Sequence, residues 1–261
     1  QTPAENHTES APASAEPAQT TPETNAFHLE YEQTALPEPL SSVTALAMLE
    51  ETLLLGGVSE TGLALVRLTP EGRSEELPLP GSTEYLYALC PDGAGGAWLL
   101  CGSLPKGYFD AFGNFRFLSQ EPEGKLALAH YDAAFALQEI VLLQTLYTDR
   151  FFQLRRLDGG FCMMSASLLV RLDETGAETA RQSLDAKDGW SFAAMQETDG
   201  VLYALTRNFY GIELPELRKF TPDTLSALES DVCTSEITGL GLRADGRLLM
   251  GNSEELFAYD N

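Results

Sequence analysis

Apolar and polar residues alternate along this chain in short runs, and each run stops at a turn-forming residue. A period of two over such runs marks β-strands. Candidate first strands are residues 43–49, 84–90, 150–157, 191–196 and 237–243. Asp92-Gly93, Asp158-Gly159, Asp199-Gly200 and Asp245-Gly246 each separate one of these from a second run, and Glu50-Glu51 takes that place in the first unit. Asp-Gly between two strand-like runs is the strongest short-range hairpin signal. Second strands are expected at 52–57, 97–102, 161–166, 201–206 and 247–251. A second series of turns interleaves with the first. Thr69-Pro70-Glu71-Gly72 returns as Glu121-Pro122-Glu123-Gly124, Asp173-Glu174-Thr175-Gly176 and Thr221-Pro222-Asp223-Thr224, in steps of 52, 52 and 48 residues. It separates third strands at 63–68, 115–119, 168–172 and 216–220 from fourth strands at 74–79, 125–130, 179–184 and 225–229, with one more third strand at 255–259. A near-constant period means stacked copies of one unit, and a four-stranded antiparallel meander is a propeller blade. The expected fold is all-β: a β-propeller of five four-stranded blades.

The fifth unit lacks a fourth strand, and residues 27–32 alternate with no partner of their own. They fit as the missing outer strand, which would close the ring and leave no open edge. The alternative is a piece of a longer protein with more blades. Residues 1–25 contain four prolines and no Val, Ile, Leu, Met, Phe, Tyr or Trp. Such a stretch has no apolar surface to bury, so residues 1–26 read as a polar tether and 27–261 as the propeller. First strands carry small residues, Ala45, Ala47, Ala88, Ala193, Ala194, Gly239 and Gly241, as crowding near an axis requires. The third blade departs from this with Phe152, Gln153, Leu154, Arg155 and Arg156.

Charge narrows the partners. With 39 acidic and 16 basic residues the formal charge is −23. Such a field repels phosphate backbones and anionic lipid, so nucleic acid and bare membrane are not expected partners. No apolar run is long enough to span a bilayer. The polar start suggests a secreted or surface-anchored protein, with a lipid anchor possible upstream of residue 1. Cys90, Cys101, Cys162 and Cys233 form no CxxC pair or Cys/His cluster, and read as buried small hydrophobes. His7, His28 and His130 have no metal-ligand or triad spacing. No metal, cofactor or catalytic residue is expected.

The meander assigns rims. The Asp-Gly and Pro-Glu-Gly turns share one rim, and the second-to-third loops and blade crossings share the other. Both long insertions, 103–114 and 131–149, fall on the second rim, which makes it the working one. Tyr108, Phe109, Asp110 and Phe112 in the first insertion are candidate ligand contacts, because aromatic faces beside polar groups suit a sugar ring. Trp190, Phe209 and Tyr210 would project from the same rim. Arg150, with Arg155 and Arg156, forms a basic cluster in an acidic chain, and an arginine fork suits a carboxylate or phosphate.

Residues 236–260, EITGLGLRADGRLLMGNSEELFAYD, with 191–203 and 84–100, resemble blades of bacterial extracytoplasmic lipoproteins in which a propeller stands beside a solute-binding domain. The resemblance implies an extracellular or cell-surface setting and carries over no catalytic residue. The reading favoured by the sequence is a non-catalytic module that binds a carbohydrate, a peptide or an adjoining domain on one rim. The alternative is a glycoside-acting five-bladed enzyme with carboxylates at the channel mouth.

Overall fold

Strand periodicity in the sequence becomes sheet register in the structure, a computed structural model. It describes residues 35–261 apart from 82, 105, 110–114, 119–123, 186–187, 234–235, 244, 253–254 and 260–261. Blade 1 is β1 (Leu40–Leu49), β2 (Thr52–Ser59), β3 (Gly62–Leu68) and β4 (Ser74–Leu77). Blade 2 begins with β5 (Tyr85–Pro91) and β6 (Ala97–Gly102). A separate hairpin follows, β7 (Gly107–Phe109) with β8 (Phe115–Phe117), before the blade resumes with β9 (Leu126–Tyr131) and β10 (Leu137–Leu142). Blade 3 is β11 (Phe151–Leu157), β12 (Gly160–Ser165), β13 (Leu168–Asp173) and β14 (Glu178–Ser183). Blade 4 is β15 (Trp190–Thr198), β16 (Val201–Asn208), β17 (Glu216–Phe220) and β18 (Ala227–Val232). Blade 5 is β19 (Gly239–Leu242), β20 (Leu248–Gly251) and β21 (Leu256–Ala258). The expected closing strand, 27–32, lies outside the described residues. The described strand pairings are all antiparallel, and the fold is a five-bladed β-propeller. First strands of successive blades touch, β1 with β5, β5 with β11, β11 with β15 and β15 with β19, so they ring the axis.

The core lies between blades. Leu54, Leu65, Leu99 and Tyr131 pack blade 1 on blade 2, and Trp98, Leu128, Phe161 and Met163 pack blade 2 on blade 3. Met164, Leu202 and Phe220 join blades 3 and 4; Leu205, Leu217, Ile237 and Leu248 join 4 and 5. Each such fully buried side chain contributes about 1.5–3 kcal/mol. Directional contacts add to the packing. The Tyr131 hydroxyl donates to the Pro78 carbonyl at 2.7 Å, and Gln182 donates to the Leu225 carbonyl at 2.8 Å. Lys219 pairs with Asp231 at 3.0 Å, and the Tyr259 hydroxyl donates to the same carboxylate.

Blade 2 corrects the even spacing of turns. Its third strand is Leu126–Tyr131, not 115–119, and its fourth is Leu137–Leu142, not 125–130. The Pro-Glu-Gly copy at 121–124 therefore ends an insertion rather than joining two blade strands. Burial explains the difference: β9 is buried along nearly its whole length, as an interior strand must be, while β10 is largely exposed, as an outer edge is. The true turn is 132–136. Asp132 Oδ1 accepts from the amides of Ala134 and Ala136, as Asp173 Oδ1 does from Thr175 and Ala177. It needs no glycine because Phe135 itself takes the left-handed backbone, at φ 62°, as Leu225 does at φ 51° where Gly72 and Gly176 have φ 77°. Burial of the Phe135 ring, capped by Arg67 at 4.4 Å, offsets that strain. The expected long crossing at 131–149 thus contains an outer strand, and only 143–150 cross between blades.

Two other expectations divide. Ala45, Ala47, Ala88 and Ala194 are buried at the axis, but Cβ atoms on Gly239 and Gly241 would meet no described atom within 4 Å, so crowding does not explain those glycines. The four cysteines are free and buried, and Cys90 and Cys101 pair with other residues across the hairpin. Blade 3 holds a buried cation. Arg171 donates to the carbonyls of Phe161, Leu172 and Asp158, gripping the Asp158-Gly159 turn. Gly160 makes room for it: a Cβ there would lie 2.1 Å from the Leu172 carbonyl oxygen.

Candidate functional site

One rim carries the first-to-second and third-to-fourth turns of the blades. The opposite rim carries the starts of the first strands, the β6–β9 insertion, the β16–β17 loop and the blade crossings. Near that loop rim, a one-residue irregularity recurs in four inner strands, between Val43 and Ala45, Leu86 and Ala88, Phe151 and Gln153, and Phe192 and Ala194. A bulge leaves the extra residue outside the ladder and re-aims its side chain. The residues so placed are Thr44, Tyr87, Phe152 and Ala193. Thr44 uses its hydroxyl to donate to the Leu86 carbonyl of the next blade at 2.9 Å. Phe152 is exposed. Periodicity alone did not reveal these bulges, because one inserted residue barely disturbs an alternating run.

The candidate residues fall into separate groups. Tyr108 and Phe109 lie on β7, opposite Arg116 and Phe115. Asp110 and Phe112 lie outside the described residues. Trp190, Phe209 and Tyr210 come together in blade 4. Trp190 opens β15 opposite Asn208, and the Phe209 amide donates to the Gly189 carbonyl at 2.8 Å. Tyr210 lies against Gly189, where a Cβ would be 2.5 Å from its ring. Asn208 accepts from the Tyr210 amide. Phe209 and Tyr210 remain 68% and 69% exposed, and Ile212 and Leu214 beside them are also exposed. The Arg218 guanidinium lies 5.8 Å from the Trp190 ring centre and pairs with Glu216.

Arg150 belongs to the junction of blades 2 and 3. It is exposed and lies 6.0 Å from the centre of the Tyr85 ring, which is 45% exposed. Tyr85 stands 5.8 Å from Tyr87. Tyr87 is 7% exposed, and its hydroxyl has no hydrogen-bond partner among the described residues. Burial raises its pKa strongly, with Tyr85 adding to the effect. The expected arginine cluster disperses. Arg156 turns outward to Glu174 at 2.7 Å, whereas burial lowers the pKa of Arg155, whose Nε has no described partner. Consecutive strand residues cannot share a face.

On the other side of the insertion stem a hollow of about 570 Å³ is lined by Thr83, Glu84, Cys101, Ser103, Lys125 and Leu142, among others. A smaller hollow of about 280 Å³ lies between blades 3 and 4. Its cations, Arg218 and Lys219, already pair with Glu216 and Asp231.

Every described carboxylate with a displaced titration is held low. For Asp92, burial pushes the pKa up but is outweighed by His130 and the amides of Ala94 and Gly96. The Thr175 hydroxyl lowers Asp173, Arg181 lowers Glu178, and Tyr259 with Lys219 lowers Asp231. A general acid for glycoside cleavage requires displacement the other way. Burial pushes the Cys90 and Cys162 thiols up to about 12 and Cys101 to about 11, the reverse of an activated nucleophile. Among the described residues no group of His, Cys, Asp and Glu could hold a metal, and no helix is long and apolar enough to cross a membrane.

No protein-family model and no curated protein sequence matches this chain. Solved structures similar to it include a propeller domain and an extracellular domain. The extracellular domain of a putative one-component system from B. thetaiotaomicron aligns at TM-score 0.50 and 14% identity, over 89% of this chain and 29% of that one. The Swd1 β-propeller domain of Myceliophteria thermophila aligns at TM-score 0.51 and 18% identity, over 84% and 66%. A putative 6-phosphogluconolactonase from Bacteroides fragilis aligns at 0.52 and 13%, over 82% and 66%. The chain thus spans under a third of the first of these proteins. At such identities the likeness is one of fold.

Proposed function

We propose that this is an extracytoplasmic, non-catalytic propeller module that binds carbohydrate on its loop rim. The observation that carries the reading is the exposed pair Phe209 and Tyr210, held beside Trp190 by Gly189 and Asn208. Flat aromatic faces in a fixed frame gain stacking energy with little ordering cost. Asp188 is exposed in the same corner, and its carbonyl accepts from the Asn208 side chain, so groups for sugar hydroxyls stand beside the rings. The polar segment 1–26 suits a tether, and the extracellular setting of the Bacteroides domain agrees with surface placement. Exposed Ile212 and Leu214 favour a second reading, in which the same loop docks an adjoining protein domain.

Affinity electrophoresis in gels containing mixed-linkage β-glucan, arabinoxylan, galactan or polygalacturonate separates the readings. Retardation by at least one, abolished in Phe209→Ser/Tyr210→Ser, is the expected result. No retardation by any, or retardation unchanged in the double variant, would overturn carbohydrate binding through this loop.

A further inference from the structure

The distribution of unpaired cations points to an acidic ligand. Several described cations of this acidic chain are neutralised locally: Arg67 by Glu75, Arg156 by Glu174, Arg181 by Glu178, Arg218 by Glu216 and Lys219 by Asp231. Lys125 and Arg150, on the two sides of the insertion stem, have no ion pair among the described residues. Arg150 has an acidic neighbour in sequence, but the Asp149 carboxylate is occupied by the hydroxyls of Ser165 and Ser167 at 3.2 and 2.5 Å. The cations flank one short row at the loop rim. Arg150 lies over Tyr85, Tyr85 pairs with Gly102, and Gly102 packs so tightly against Lys125 that a Cβ would be 2.2 Å from its carbonyl oxygen. Beneath Tyr85 the Tyr87 hydroxyl is buried with no described partner.

Resting on the carbohydrate reading above, we infer that the mouth between blades 2 and 3 is a subsite for a carboxylated sugar of the uronic acid class. The Arg150 fork receives the carboxylate, and the half-exposed Tyr85 ring receives the C–H face of the pyranose. Lys125 meets the carboxylate of a neighbouring residue in an acidic oligosaccharide. An acidic peptide offers the carboxylates without the pyranose face, so Tyr85 favours the sugar. Glu84 is the opposing charge: it is exposed, lines the Lys125 hollow and acts on Tyr87 together with Arg150.

Calorimetric titration of the full chain with trigalacturonate, a hyaluronan tetrasaccharide, neutral galactotriose and poly-glutamate tests the inference. At least one acidic sugar should bind, more weakly as NaCl rises from 50 to 500 mM. Arg150→Met should weaken it about tenfold or more, Lys125→Met less, and Glu84→Gln should strengthen it about twofold by removing one like charge. Arg150 and Glu84 are exposed, so these variants fold, which an unchanged Tm verifies. Binding of neutral sugar alone, or acidic-sugar binding indifferent to Arg150→Met, would overturn the subsite while leaving carbohydrate binding intact. Binding of poly-glutamate as tight as that of the sugars would replace the ligand with an acidic peptide. If no saccharide binds, both readings fall.

Discussion

Two buried tyrosines in blade 2 make opposite predictions for the same chemical change. Tyr131 is 0% exposed and its hydroxyl donates to the Pro78 carbonyl at 2.7 Å; Tyr87 is 7% exposed and its hydroxyl has no described partner. Replacing either by Phe keeps the ring and removes one oxygen. At Tyr131 the change deletes a hydrogen bond and leaves a small void where the oxygen stood, a loss of about 1–2 kcal/mol. At Tyr87 it deletes a desolvated hydroxyl with nothing to bond to, a gain of about 1 kcal/mol. For a chain of this size each kcal/mol moves Tm by about 2–4 °C, so the variants should separate by about 4–12 °C on either side of wild type. Burial raises both hydroxyls far above their ordinary pKa, so the difference should be flat across roughly pH 5–9. Differential scanning fluorimetry, with urea midpoints as the second measure, reads it directly. A Tyr87→Phe variant as destabilised as Tyr131→Phe would refute the reasoning: the hydroxyl would then have a partner in the free protein.

Two further outcomes follow from buried charge. Arg171→Met keeps most of the side-chain volume but removes the donor to three carbonyls, and should cost about 3 kcal/mol, lowering Tm by about 6–12 °C; a shift under about 2 °C would show that the turn holds without it. Asp92 titrates lower folded than unfolded, so its stabilising effect is complete above the unfolded pKa of about 4 and fades as pH falls through the folded value. Urea midpoints from pH 6 down to 2.5 should therefore fall less steeply for Asp92→Asn than for wild type, and parallel curves would remove the claim.

The sequence by itself determined the strand content, the tight hairpins and the blade as the repeating unit, because these depend on local geometry. Asp199 and Gly200, at φ 52° and 71°, form the left-handed turn that Asp-Gly announces. Glu50, at φ 47°, takes the left-handed backbone in the first blade without a glycine. Tertiary structure decided what local rules could not. Phe135 takes the left-handed backbone that glycine fills at 72 and 176, since burial of its ring against blade 1 outweighs its strain, and so the true turn of blade 2 carries no glycine for a local pattern to find. It also decided which charges are spent. Arg150, Arg155 and Arg156 are near neighbours in the chain, yet Arg156 finds Glu174, the Nε of Arg155 is buried, and Arg150 is left facing solvent beside Tyr85. A candidate site depends on groups without partners, and partners come from other blades, at separations no periodic pattern records.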